Sequence, residues 1–280
     1  MLDPYQVAAE TFVIPDALPV PGVGQLPVNA MVIRGEQPML LDTLAVVHRD
    51  DFLAKAFALL DPEDVQWLFI SHEDRDHSGS FKQVLEMCPN AKVITNFLGL
   101  GKLLEEFEIP LERVHFLNDG DSLDIGDRTV TAIRPPLYDS SATRGLWDPK
   151  TELYFAADCF GAVQRDPVAF ADELHKAEYD DGFFWMNRAN HVWFHEIRQE
   201  VLDGDAQRIV DLDAKVVVSG HGPTIRVDPN EVCKSITRIG DMDPIQFPDQ
   251  EEFEQMLASA PAANTPMTAP PSDAPSCAHS

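Results

Sequence analysis

Cysteine is scarce in this chain of 280 residues, and what there is lies scattered. Cys88, Cys159, Cys233 and Cys277 form no Cys-x-x-Cys pair, and the chain is too long for a disulfide-stapled mini-protein. Reduced thiols and a cytoplasmic protein are expected. Basic residues are also few: 21 Lys plus Arg stand against 47 Asp plus Glu, for a formal net charge of −26. So acidic a surface repels phosphate backbones and anionic lipid faces, so neither nucleic acid nor membrane is expected as a partner. No apolar stretch approaches the roughly 20 residues of a membrane-spanning helix. The start, Met1-Leu2-Asp3-Pro4-Tyr5, lacks the basic residues and apolar run of a cleaved signal. There is no Gly-rich phosphate loop and no Gly-x-Gly-x-x-Gly after a strand, so no nucleotide or flavin domain is predicted.

What is present is a normal globular share of apolar residues, 44%, enough for a sizeable core. Composition shifts near residue 250. Residues 259–280 are dominated by Ala, Pro, Ser and Thr, with no Lys or Arg. Such a segment buries too little to offset its ordering entropy, and disorder is expected there. Gln250 to Leu257 reads as a short acidic helix. The expected division is a metal-binding domain over residues 1–250 and a helix remnant with a tail over 251–280.

Within the body, strand and helix patterns alternate, which predicts an α/β layered domain. Val28–Ile33 and Met39–Leu41 read as paired strands, and Asp50–Leu60 as a helix with Phe52, Leu53, Ala56, Phe57 and Leu60 on one stripe. Three buried-type strands end abruptly in polar residues: 65–70 before His72, 153–157 before Asp158, and 215–219 before His221. Ligand sites in α/β folds favour the carboxyl ends of strands, so these three clusters are expected to converge.

The strongest signal is Ser71-His72-Glu73-Asp74-Arg75-Asp76-His77-Ser78-Gly79-Ser80. Alternation places His72, Asp74 and Asp76 on one side of an extended loop, with His77 beside them. So many titratable groups at a buried strand end are costly unless a cation compensates them, and a pair of divalent metals does so.

This decapeptide resembles the His-x-His-x-Asp-His metal loop of the metallo-β-lactamase superfamily, with Asp74 in place of its second His. A carboxylate there, followed by Asp-His-Ser-Gly, is most similar to the di-iron domain of flavodiiron proteins. Asn29 to Thr43 resembles that family's opening hairpin. Phe155-Ala156-Ala157-Asp158-Cys159-Phe160-Gly161 resembles its bridging-Asp segment, and Ser219-Gly220-His221-Gly222-Pro223 its last His loop. The resemblance implies a metallo-β-lactamase-like αββα sandwich with the metal site at the edge between the two sheets. It implies one metal held by His72, Asp74, Asp158 and Asp139, and a second by Asp76, His77, Asp158 and His221. Asp158 is then the bridging, catalytic carboxylate. One family His has no counterpart: by count its place is Asp139, and by the Asp-Ser landmark it falls on Pro136. Asp139, Tyr138, His191 or water are the candidates for that position, and Asp42 is a candidate to orient a ligand His.

A carboxylate-rich set without thiolate favours hard cations, iron first, with zinc or manganese as alternatives. The reading is a stand-alone di-iron protein that binds and reduces O2 or NO, or senses oxygen. It takes electrons from a separate flavoprotein or rubredoxin-like donor and binds no FMN of its own. A homodimer is left open. The alternative is a di-zinc hydrolase acting on a small ester, lactone or thioester.

Overall fold

The computed structural model describes residues 2–259. The tail expected at 260–280 lies outside the described residues. The first sheet has seven strands in spatial order: β1 (Tyr5–Ala8), β2 (Thr11–Val20), β3 (Gly24–Ile33), β4 (Met39–Leu41), β5 (Trp67–Phe69), β6 (Lys92–Thr95) and β7 (Val114–Phe116). Pairing is antiparallel from β1 to β4 and parallel from β4 to β7. The second sheet contains β8 (Ser122–Asp124), β9 (Thr129–Ile133), β10 (Gly145–Asp148), β11 (Leu153–Phe155) and β12 (Val216–Val218). Its spatial order is β12-β11-β10-β9-β8, with only β11 and β12 parallel.

The helices are α1 (Arg49–Leu59), α2 (Arg75–Ser78), α3 (Phe81–Met87), α4 (Phe97–Leu103), α5 (Lys176–Asn190), α6 (Gln199–Val210), α7 (Pro229–Ser235) and α8 (Gln250–Ser259). Strand alternation assigns them to layers. Val28, Ala30, Val32, Leu40, Leu68 and Val93 pack against Phe52 and Ala56 of α1 and Phe81, Val84 and Leu85 of α3. The alternate residues Met31, Ile33, Met39, Leu41, Phe69 and Ile94 meet Val130, Ala132, Leu146, Phe155 and Val218 of the second sheet. Tyr154 and Val217, on that sheet's far face, pack on Phe183 of α5 and on Leu202, Ala206 and Ile209 of α6. The result is helix, sheet, sheet, helix: the αββα sandwich.

Three strands lie outside the elements read from sequence. β1, the long β2 and β10 went unrecognised, because Pro15 and Pro19 interrupt β2 and β10 is only four residues long. The prolines fit because β1 pairs β2 only over Thr11–Val13, which leaves the rest of that edge free of a ladder partner. The compact unit runs from Met1 to Ile245. A second unit begins at Gln246 and contains α8, whose Phe253 and Leu257 stand four residues apart on one face.

Candidate metal centre

Five loops meet where parallel strands end. Asp42 follows β4, the run from Ser71 to Ser80 follows β5, Asp158 follows β11 and His221 follows β12. Asp139 lies between β9 and β10. The two sheets are stitched together here: Asn29 donates its backbone N–H to Gly220 O at 2.8 Å. Its side-chain amide donates to Ser219 O at 2.8 Å and Gly222 O at 2.7 Å. Asp42, Leu44, Ala157 and Phe160 all hold positive φ, between 50° and 65°. Backbone held in the left-handed region by non-glycine residues costs of order 1–3 kcal/mol each and tends to cluster at functional sites.

The metal loop is not extended throughout. It turns into α2 at Arg75, so Asp76 parts from His72 and Asp74 and faces a different neighbour. Three donor groups result, each with all its ligand atoms within 4.8 Å of one another: His72 with Asp74 and Asp139, Asp76 with His77 and His221, and His72 with His77 and Asp158. His72 Nε2 lies 3.8 Å from Asp74 Oδ2, 3.8 Å from Asp139 Oδ2 and 3.7 Å from Asp158 Oδ2. On the other side, Asp158 Oδ1 lies 2.9 Å from His77 Nε2 and 3.4 Å from His221 Nε2. Asp76 Oδ2 stands 3.3 Å from His221 Nε2. Donors about 2.1 Å from a common ion lie no more than about 4 Å apart, and each of these imidazole–carboxylate distances is within that reach. Asp158 gives one oxygen to each set.

The hydrogen bonds of the imidazoles decide which nitrogen is free. His77 Nδ1 lies 2.8 Å from the Asp42 carboxylate, and His221 Nδ1 lies 2.8 Å from Pro27 O. Both partners only accept, so both Nδ1 atoms carry hydrogen. Ser71 Oγ donates to Asp42 Oδ2 at 2.7 Å, which leaves it to accept from His72 Nδ1 at 3.1 Å. Each ring, when neutral, therefore turns an Nε2 lone pair toward the cluster. His77 and His221 bring these atoms within 3.3 Å of each other. Two lone pairs at that separation repel unless a proton or a cation sits between them.

His72 Nε2 and Asp158 Oδ1 are buried without a well-directed hydrogen bond. Such orphaned atoms are rare because each costs about 1–3 kcal/mol. An ion ligated by both removes that cost, so the residues fit a pair of metal ions.

The charges agree. Burial opposes ionisation of Asp158, yet the imidazoles of His221, His72 and His77 hold its carboxyl well below the usual range. Burial disfavours the charged form of His221, but Asp158 and Asp76 push it up to about 9. Asp74 is raised, first by burial and then by the nearby charges of Asp139 and Asp158. Carboxylates crowded in this way call for positive charge.

All seven residues predicted from sequence are brought together. Of the other candidates for the unmatched His position, Tyr138 lies under the Arg134 guanidinium at 4.9 Å and against Trp193 at 5.5 Å, outside the donor groups. His191 is buried, donates Nδ1–H to Asn187 O at 2.9 Å, leaves Nε2 unpartnered, and also lies outside those groups. Sequence reasoning missed Asn190, whose amide donates to Asp158 Oδ2 at 2.9 Å. It also missed the tie that carries Asp139: Ser140 Oγ donates to both oxygens of Glu73, at 2.9 and 2.8 Å, and Lys102 pairs with the same carboxylate. The polar character of Glu73 inside the metal loop was the only available signal.

A family model described as ODP family beta lactamase matches residues 27–222. The chain is 25% identical over 215 residues to a nitric oxide reductase of Moorella thermoacetica, covering 75% of this chain and 52% of that protein. It is 27% identical over 214 residues to diflavin flavoprotein A 1 of Synechocystis, covering 73% of this chain and 35% of that one. Among solved structures, the rubredoxin oxygen:oxidoreductase of Desulfovibrio gigas superposes with a TM-score of 0.73 at 18% identity, covering 85% of this chain and 60% of that one. The chain thus spans about a third to a half of the length of the curated relatives it matches. Among the described residues, no helix is long and apolar enough to cross a membrane.

Proposed function

Because this chain belongs to the ODP family beta lactamases, with their metallo-β-lactamase-like fold, we propose that it is a di-iron oxidoreductase acting on O2 or NO. The observation that carries the reading is the split of Asp158 between two donor sets that hold three imidazoles, four carboxylates and no thiolate. Hard oxygen donors of this kind suit iron better than a soft metal. His72, Asp74, Asp139 and Asp158 would hold one ion, and Asp76, His77, His221 and Asp158 the other. A pair of ferrous ions bound there would supply electrons for the reduction of a small diatomic.

The chain's own residues set the conditions. Asp42 and Pro27 O fix the His77 and His221 rings with Nε2 inward. Ser71 Oγ does the same for His72. The buried walls around Asp158 keep bulk water from its inner oxygen, while Asp74, with half of its side chain exposed, stands at the open edge. Electrons come from a separate donor, a flavoprotein or a rubredoxin-like protein. The names of the relatives support this reading, and the acidic surface suits a cationic donor face.

Anaerobic loading with Fe(II) followed by air tests the proposal. Two irons per chain, a near-ultraviolet absorption on oxidation, and O2 or NO consumption sustained by a reductant are expected. O2 binding without sustained consumption indicates a sensor. Stoichiometric zinc with hydrolysis of a model ester, and no iron uptake, overturns the reading in favour of a hydrolase.

A further inference from the structure

The two oxygens of Asp158 live in different surroundings. Oδ1 is buried, makes no well-directed hydrogen bond, and faces the imidazoles of His77 and His221. Oδ2 accepts the side-chain N–H of Asn190 at 2.9 Å and faces His72. The donor sets differ in the same sense. The Oδ1 side has two buried imidazoles and Asp76. The Oδ2 side has one imidazole with Asp74 and Asp139, whose side chains are 50% and 18% exposed.

Asn190 is held in place by the fold. It ends α5, and that helix is clasped to the Asp158 segment one turn earlier. Asn187 Oδ1 accepts the Phe160 N–H at 3.0 Å, and Asn187 Nδ2 donates to Gly161 O at 2.9 Å. The His191 ring closes the turn by donating to Asn187 O. Gly182 lets the same helix press against Val163, where an added Cβ would stand 2.1 Å from a carbonyl oxygen. The Asn190 amide is therefore presented to Asp158 by a helix fixed at three points.

Resting on the metal-binding reading above, we propose that Asn190 is a positioning residue that makes the two metal positions unequal. Its hydrogen bond occupies one lone pair of Oδ2 and aims the other at the His72–Asp74–Asp139 set. The His77–His221–Asp76 position, with two imidazoles and the unencumbered Oδ1, loads first. The His72 position loads second and depends on Asn190 to orient the shared carboxylate.

The test is titration of the full-length metal-free protein with Co(II), followed by calorimetry and visible absorption. Wild type should bind two equivalents in two steps. Asn190→Leu, which keeps bulk and loses the donor, should weaken the second equivalent by about 10–100-fold and shift its spectrum, the usual effect of losing a group that orients a ligand. The first equivalent should change by less than about threefold, because its donors do not involve the hydrogen-bonded oxygen. Asn190→Gln, which retains the amide, should recover part of the loss. Asn190→Ala serves as the second donor-deficient variant if the Leu variant fails to fold, judged by circular dichroism. An unchanged second step, or equal weakening of both steps, overturns the proposal while leaving the metal reading intact. Failure of the wild-type protein to bind Co(II) at all overturns the metal reading itself.

Discussion

Asp42 carries no ligand role, yet its carboxylate is fully buried and serves three donors. It accepts from Ser71 N at 2.8 Å, from Ser71 Oγ at 2.7 Å and from His77 Nδ1 at 2.8 Å. It thereby sets the tautomer of His77 and, through Ser71, that of His72. Asp42→Asn keeps the shape but removes the charge and one acceptor oxygen. Metal affinity should fall by about 10–100-fold, as read by competition with a chromogenic chelator. Asp139 offers a direct test of ligation, since it lies 3.8 Å from His72 Nε2. Asp139→Ala should lower iron content by depleting the His72 position. Unchanged iron content would remove Asp139 from the ligand set.

At the scale of elements, the bridging segment depends on α5. Asn187 is buried and satisfies the backbone at Phe160 and Gly161. Asn187→Ala leaves both groups buried and unpaired, at about 1–3 kcal/mol for each. Urea unfolding should show a lower midpoint with an unchanged slope. Gly182→Ala would ordinarily strengthen a helix by up to about 1 kcal/mol. Here the new methyl meets Val163 O, so the variant should be destabilised, and thermal melting reads the sign. Neither residue was identifiable from the linear pattern. Helical periodicity in 166–212 was legible, but not the side of α5 that would clasp residues 158–163.

At the scale of the molecule, charge is managed pair by pair. Arg128 and Asp148 are both buried and joined at 2.8 Å, at the edge of the second sheet. Asp148→Ala removes one of the two carboxylates on the buried Arg128 guanidinium, Asp127 remaining 2.9 Å away, and should cost about 1–3 kcal/mol, measurable by denaturant titration. Burial opposes ionisation of the neighbouring Asp127, but Arg128 and Lys150 hold its carboxyl well below the usual range. A depressed folded-state pKa contributes stability above the unfolded value, near about 4, and that contribution is lost as pH falls below it. An acid melting series should show this loss, and Asp127→Asn should flatten it. With a formal charge of −26, reduction by a cationic donor should slow as ionic strength rises from low salt to about 0.15 M.

The amino-acid sequence by itself determined the layered α/β class and marked the six candidate donors His72, Asp74, Asp76, His77, Asp158 and His221. Periodicity marks the buried strands, and polar residues placed abruptly after them stand out along the chain. Asp139 was reachable only by counting back from Asp158 through a resemblance. The tertiary structure alone decided that α2 separates Asp76 from His72 and Asp74, and that Asp158 turns one oxygen to each set. It also decided that Asp42, Asn190 and the Glu73–Ser140 tie hold the donors in place. Those roles depend on distances between residues far apart in sequence, from Asp42 and Ser71, 29 positions apart, to His77 and His221, 144 apart, and only tertiary packing sets such distances.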